Sequence, residues 1–143
     1  MRRHKREPLY TPKHHWDGKW RELDFRGRTV ILFGRSSLAK ALNRSTVAIR
    51  RLEDKGVLCK PRLQDPRYPH QWLYTEWQIL ALIQLADREG VLDPNYHRPF
   101  SERFKSEARV ILNRLPGEEV QHADSAKASN VDTNGQPPSR PGA

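Results

Sequence analysis

The chain has little of what extracellular, membrane-spanning and metal-binding proteins rely on. Its 143 residues include one cysteine, Cys59, so no disulfide can form within one chain, which is typical of a reducing cytosol. A cysteine-rich zinc site is excluded for the same reason. The sequence also has no run of about 18 apolar residues, the length that a membrane-spanning helix requires. These absences predict a cytoplasmic protein without membrane association.

Motifs of catalysis and of cofactor binding are also missing from the sequence. No glycine-rich phosphate loop, Ser/His/Asp constellation or pair of catalytic carboxylates stands out. His14 and His15 are adjacent in a segment broken by prolines, and adjacent histidines seldom bind one metal with good geometry. We therefore expect a protein that is not an enzyme and that uses neither a metal nor another cofactor.

Positive charge is what the chain has in excess. It carries 26 Lys and Arg against 17 Asp and Glu, which gives a net charge of +9. Residues 34–62 hold eight basic and two acidic side chains, whereas residues 63–100 hold three basic and five acidic ones. Such a protein is attracted to polyanions: nucleic acid, an anionic membrane or an acidic partner. The alternative is a solvated basic surface without a specific role.

Composition and hydrophobic pattern predict one mainly α-helical domain between irregular ends. Residues 1–24 are expected to be a basic, largely irregular N-terminal arm, and residues 25–115 the folded domain. From residue 116 to 143 the chain is dominated by small, polar and proline residues, which predicts a disordered tail. At the start of the domain, residues 27–33 are rich in β-branched residues and flanked by glycines, so they are predicted to form a strand.

Two short helices with a polar turn between them are predicted after this strand. The first begins at Ser36 or Ser37 and ends near Asn43. The second begins after Ser45, a good N-cap residue, and is ended by Gly56. Two helices of this size, joined by two or three polar residues, are typical of a helix-turn-helix.

A hairpin and two further helices complete the predicted winged helix-turn-helix domain. Val57–Leu58 and Trp72–Tyr74 are predicted as paired strands, a short β-hairpin wing beside the second helix. Thr75 is expected to cap a third helix over residues 76–90, and a fourth helix follows over residues 101–115. The third helix is apolar on two sides, so we expect it to be buried against two surfaces. Both C-terminal helices are therefore the expected surface for a homodimer, a cooperative multimer or another protein partner.

The segment SLAKALNRSTVAIRRLEDKGVL, followed by a hairpin and LYTEWQILALI, resembles MerR-type winged helix-turn-helix proteins and the related phage excisionase-like proteins. This resemblance implies that the second helix enters the DNA major groove while the wing lies along the backbone or minor groove. Trp72 departs from the pattern, because the family often has a wing arginine there. The short fourth helix also departs from the long dimerising helix of MerR regulators. The matching residues are Ile49–Arg50, Glu53, Gly56–Val57–Leu58, Leu73–Tyr74–Thr75 and Ile79.

We therefore expect a non-catalytic protein that binds double-stranded DNA, in transcriptional regulation or in shaping DNA for recombination. The major groove admits one α-helix, whose outward side chains meet base edges while flanking cations meet phosphates. The alternative is an assembly module, such as a phage small terminase subunit, that recruits a packaging motor to DNA. The candidate DNA-contact residues lie on the two helices, their turn and the wing: Arg35, Arg44, Ser45, Thr46, Val47, Arg50, Arg51, Lys55, Lys60, Arg62, Arg67, Tyr68, His70 and Gln71.

Overall fold

The structure, a computed structural model, describes residues 9–118. Residues 1–8, which carry most of the predicted arm's charge, and residues 119–143, which make up most of the predicted tail, lie outside the described residues. The elements in chain order are β1 (Trp20–Phe25), β2 (Arg28–Phe33), α1 (Arg35–Ala41), α2 (Thr46–Asp54), β3 (Leu63–Asp65), β4 (Tyr68–Thr75), α3 (Glu76–Arg88) and α4 (Glu102–Leu112).

The prediction of a mainly α-helical domain with a short hairpin wing is wrong. The four strands form one antiparallel sheet in the order β1-β2-β4-β3, so the fold combines helices with a substantial sheet. Helices take 37% and strands 21% of the described residues. Leu32 pairs with Thr75 and Phe33 with Tyr74, which joins the two hairpins through β2 and β4. The hairpin predicted as a short wing is therefore one half of this sheet.

The strand that the sequence prediction missed is β1. It begins at Trp20, inside the segment expected to be an irregular arm, and it pairs with β2 along its whole length. Arg26 and Gly27 join the two strands with φ angles of +53° and +80°. Two successive positive φ values are the backbone of the tight turn that two-residue hairpins favour. Charged residues in β1 hid its period-two alternation, while the Arg-Gly turn was the signal that could have revealed it.

The second hairpin also lies later in the chain than predicted. The strand that pairs with Leu73 contains Leu63, whereas Val57–Leu58 are buried core residues outside any strand. The hairpin begins later because of the way in which α2 ends. Gly56 takes a left-handed conformation, and the Val57 N–H donates to the Leu52 carbonyl at 2.9 Å. This Schellman-type ending turns the chain inward beneath the helices before β3 begins.

The hydrophobic core lies where the inner ends of β2 and β4 meet the helices. Phe33, Leu38, Ile49 and Leu82 are all fully buried in it. Trp16 joins this core from the segment before β1, with its ring 5.1 Å from that of Phe33 in an edge-to-face contact. Trp16 therefore anchors the beginning of the described chain and fixes where β1 starts.

The two C-terminal helices pack against each other as well as on the rest of the domain. The buried Gln78 amide of α3 donates hydrogen bonds to carbonyls of Ile111 and Arg114, 3.2 and 3.0 Å away. It thereby satisfies backbone acceptors that a helix end leaves unpaired. Val110 of α4 is 48% exposed, whereas Leu112 is fully buried and faces the core. None of the helices in residues 9–118 is long and apolar enough to cross a membrane.

Candidate nucleic-acid interface

The turn between α1 and α2 is held by backbone hydrogen bonds. Asn43 adopts a left-handed conformation with φ +61°, and its N–H donates to the Lys40 carbonyl at 3.1 Å. The Arg44 N–H donates to the Ala39 carbonyl at 2.9 Å, which completes a Schellman motif. The Asn43 amide also donates to the Leu92 carbonyl at 3.1 Å. These bonds fix the direction in which α2 leaves α1.

The start of α1 differs from the prediction. No side chain caps this helix, where we expected Ser36 or Ser37, and the helix begins at Arg35 after Gly34.

The sequence places one apolar residue of α2 inward and its polar residues outward. Ser45 caps the helix, since its Oγ accepts the Ala48 N–H at 3.1 Å. Ile49 is fully buried, whereas Val47 is 54% exposed. The exposed side chains on α2 and its cap are Ser45, Thr46, Val47, Arg50, Arg51, Asp54 and Lys55. The helix therefore presents small residues at its first turn and arginines one turn later.

Arg35, a candidate DNA-contact residue, is used inside the fold. Its guanidinium donates to the Glu53 carboxylate at 2.8 Å, and the Glu53 side chain is 4% exposed. The Tyr74 hydroxyl donates to the same carboxylate at 3.3 Å. Burial, and then the nearby Glu53 charge, raise the pKa of Tyr74 well above its usual value. Arg35, Glu53 and Tyr74 therefore tie α1, α2 and β4 together, which fixes the hairpin beside α2.

The tip of the β3–β4 hairpin is organised by the buried carboxylate of Asp65. It accepts the Arg67 N–H at 2.9 Å and the Arg21 guanidinium at 2.7 Å. Burial alone would raise the pKa of Asp65, but the hydrogen bonds from Arg67 and the charges of Arg67 and Arg21 outweigh it and lower the pKa. Arg21 also donates to Gln71 and lies over the Tyr68 ring, 6.0 Å from its centre. The missed strand β1 thus holds three candidate wing residues in place.

The remaining candidate DNA-contact residues differ in their exposure and in whether their side chains have partners. Lys60 and Arg62 are exposed and have no ion pair within residues 9–118, although Lys60 lies 5.5 Å from the centre of the Trp72 ring. Arg44 is half-buried and donates to the Leu42 carbonyl at 3.1 Å. Desolvation by this burial lowers the pKa of the Arg44 guanidinium. His70 is exposed on β4.

Near both ends of α2 lie basic residues from other segments that were not among the candidate DNA-contact residues. At its N-terminal end a shallow depression is lined by His15, Lys40, Arg44 and Ser45. At its C-terminal end Lys55 lines a second cleft together with Arg98. Arg98 lies in the proline-containing connection between α3 and α4, which contributed no candidate DNA-contact residue. The contact of this connection with α2 depends on long-range packing, for which its sequence carries no pattern.

The described residues do not assemble the groups that metal binding requires. Within residues 9–118 no group of three or more His, Cys, Asp or Glu side chains could hold a metal ion. Cys59 is half-buried after α2, and desolvation raises the pKa of its thiol, which makes it a poor nucleophile at neutral pH. No family model, curated protein or solved structure matches the chain.

Proposed function

We propose that this protein binds double-stranded DNA without catalysis, through the outward face of α2. The observation that carries the proposal is how ion pairs are distributed. Arg21, Arg35 and Arg67 each form an ion pair with a buried carboxylate, Asp65 or Glu53, which holds these arginines in fixed positions. By contrast, six cations on or around α2 have no ion pair within the described residues: Lys40, Arg50, Arg51, Lys55, Lys60 and Arg62.

The shape of this surface suits a major groove. The groove admits one α-helix, and small residues at the helix N-terminus allow close approach to base edges. Thr46 and Val47 are such residues, and Arg50 follows one turn later. An arginine there can donate two hydrogen bonds to a guanine or pair with a phosphate. Lys60 and Arg62 lie in the connection between α2 and β3, and we expect these two exposed cations to contact the sugar-phosphate backbone.

The DNA binding that we propose serves the regulation of transcription or the shaping of DNA for recombination. Regulation of transcription and the shaping of DNA for recombination both require a non-catalytic DNA-binding protein of this kind, and both place it in the cytoplasm beside the chromosome. The resemblance of residues 36–85 to MerR-type and excisionase-like proteins supports the same reading.

The first test is the binding of a labelled random-sequence duplex, followed by fluorescence anisotropy at a series of salt concentrations. Six phosphate contacts predict that log affinity falls with log salt at a slope of about −5. Absence of duplex binding even at low salt would rule the proposal out.

The second test separates α2 from the net charge. Arg50→Ala and Arg51→Ala each remove one positive charge, and so does the matched control Arg28→Ala. Arg28 begins β2, about 17 Å along the strand from Phe33 at its other end, at roughly 3.3 Å per residue. A base-reading arginine predicts a loss of about 1–3 kcal/mol at α2. Equal, small effects in all three variants would show that α2 is not the reading element.

A further inference from the structure

A cleft beside the β3–β4 hairpin, separate from the face of α2, has a volume of about 320 Å³. It lies between the residue before β1, the start of α1 and the outer part of β4. Among the described residues that line it, none is Asp or Glu. Its polar lining consists of three permanent cations, an imidazole, a hydroxyl and an amide: Lys19, Arg21, Arg35, His70, Ser36 and Gln71.

Two of these cations are oriented from behind by buried carboxylates. Asp65, which is fully buried, accepts from Arg21 at 2.7 Å, and Glu53 accepts from Arg35 at 2.8 Å. Each carboxylate therefore holds a guanidinium in one position at the wall of the cleft. Supporting contacts of this kind are how binding sites keep their donors in place before a ligand arrives.

Donors remain unused on both guanidinium groups. A guanidinium carries five N–H donors, of which Arg21 directs two to Asp65 and Gln71. Arg35 directs one to Glu53, and its Nε atom is buried with no hydrogen-bond partner among the described residues. Because the Nε atom is buried, the donors that a ligand in the cleft can reach are the remaining terminal N–H groups of Arg35, whose side chain is 23% exposed. Lys19 is exposed and has no ion pair in the described part of the chain.

We propose that this cleft binds a phosphate group, with Lys19, Arg35 and His70 as its donors. Arginine guanidinium groups match the geometry of phosphate oxygens, and a lysine adds charge at the open side. The phosphate belongs either to the backbone of duplex DNA or to a free phosphate compound. In the first case the inference rests on the proposed function, because the cleft then adds a contact between the hairpin and α1.

The test uses the full chain with two probes, inorganic pyrophosphate and a random-sequence duplex. Lys19→Ala and His70→Ala remove exposed groups that make no hydrogen bond in the described structure, so both variants should fold, as thermal unfolding will verify. Arg28→Ala, in the same β1–β2 hairpin, is the control of equal charge. Calorimetry should show that Lys19→Ala weakens pyrophosphate binding roughly tenfold, the loss of one charge-assisted contact. The control should bind like the unchanged protein.

The duplex arm distinguishes the two sources of phosphate. If a DNA phosphate occupies the cleft, Lys19→Ala also lowers the slope of log affinity against log salt by about 0.9, and pyrophosphate competes with the duplex. If only pyrophosphate binding weakens, the cleft takes a free phosphate compound. The inference is overturned if Lys19→Ala and His70→Ala match Arg28→Ala with both probes. That outcome leaves the proposed function standing, provided that Arg50→Ala still weakens duplex binding.

Discussion

Removal of the Glu53 side chain should destabilise the domain more than any exposed substitution on α2. Glu53→Ala leaves the Arg35 guanidinium and the buried Tyr74 hydroxyl without their shared acceptor. Breaking a buried ion pair costs about 3–5 kcal/mol, but the Arg35 side chain is 23% exposed, so water recovers part of that cost. We therefore expect a loss of about 3 kcal/mol, and Glu53→Gln, which keeps an acceptor, should lose about half of it.

The assay is urea unfolding at pH 7 followed by tryptophan fluorescence. Asp54→Ala is the matched control, since Asp54 is the next residue of α2, is exposed and makes no ion pair in the described structure. We expect it to change the free energy of unfolding by less than about 0.5 kcal/mol. If Glu53→Ala and Asp54→Ala have the same effect, the linkage of α1, α2 and β4 through Glu53 is refuted.

Three further predictions concern the stability of the domain. Gly56→Ala should cost about 1 kcal/mol of unfolding free energy because φ is +78° there, whereas Gly18→Ala, which also has open space around it, should cost almost nothing. Ile49→Ala should cost about 3 kcal/mol in the same urea assay, because it leaves a cavity in the core. Burial alone would raise the pKa of Asp17, but hydrogen bonds from Tyr10, Lys13 and His14 lower it below its ordinary value of 3.8. The unfolded chain therefore binds this proton first, so stability should fall as the pH drops below about 4, and Asp17→Asn should flatten that fall.

Local signals predicted the helices but not the sheet. Ser45 and Thr75 each cap the helix that they were expected to cap, because a cap depends on neighbours within one turn. The extent of the sheet depends on pairing between residues about 40 apart, such as Leu32 with Thr75, which no local pattern specifies. β1 could have been recognised from the Arg-Gly turn that follows it, whereas its charged residues hide its alternation.

The sequence predicts which side chains of α2 face outward, but it does not predict which of the nearby cations form ion pairs. The period of α2 correctly separates inward Ile49 from outward Thr46, Val47 and Arg50. Which cations are free cannot be read from the sequence, because ion pairing joins residues far apart in the chain. Arg21 and Asp65 are 44 residues apart, yet their contact decides how Arg67 is held.

The most direct test of the central claim maps the surface that DNA touches. Backbone amide resonances of the labelled protein would be recorded while a short duplex, selected from a random library, is added. The account predicts that the largest shifts fall on the first two turns of α2, at Thr46, Val47, Arg50 and Arg51. Shifts confined to the β1–β2 turn around Arg26 or to α4, with the amides of α2 unchanged, would contradict it.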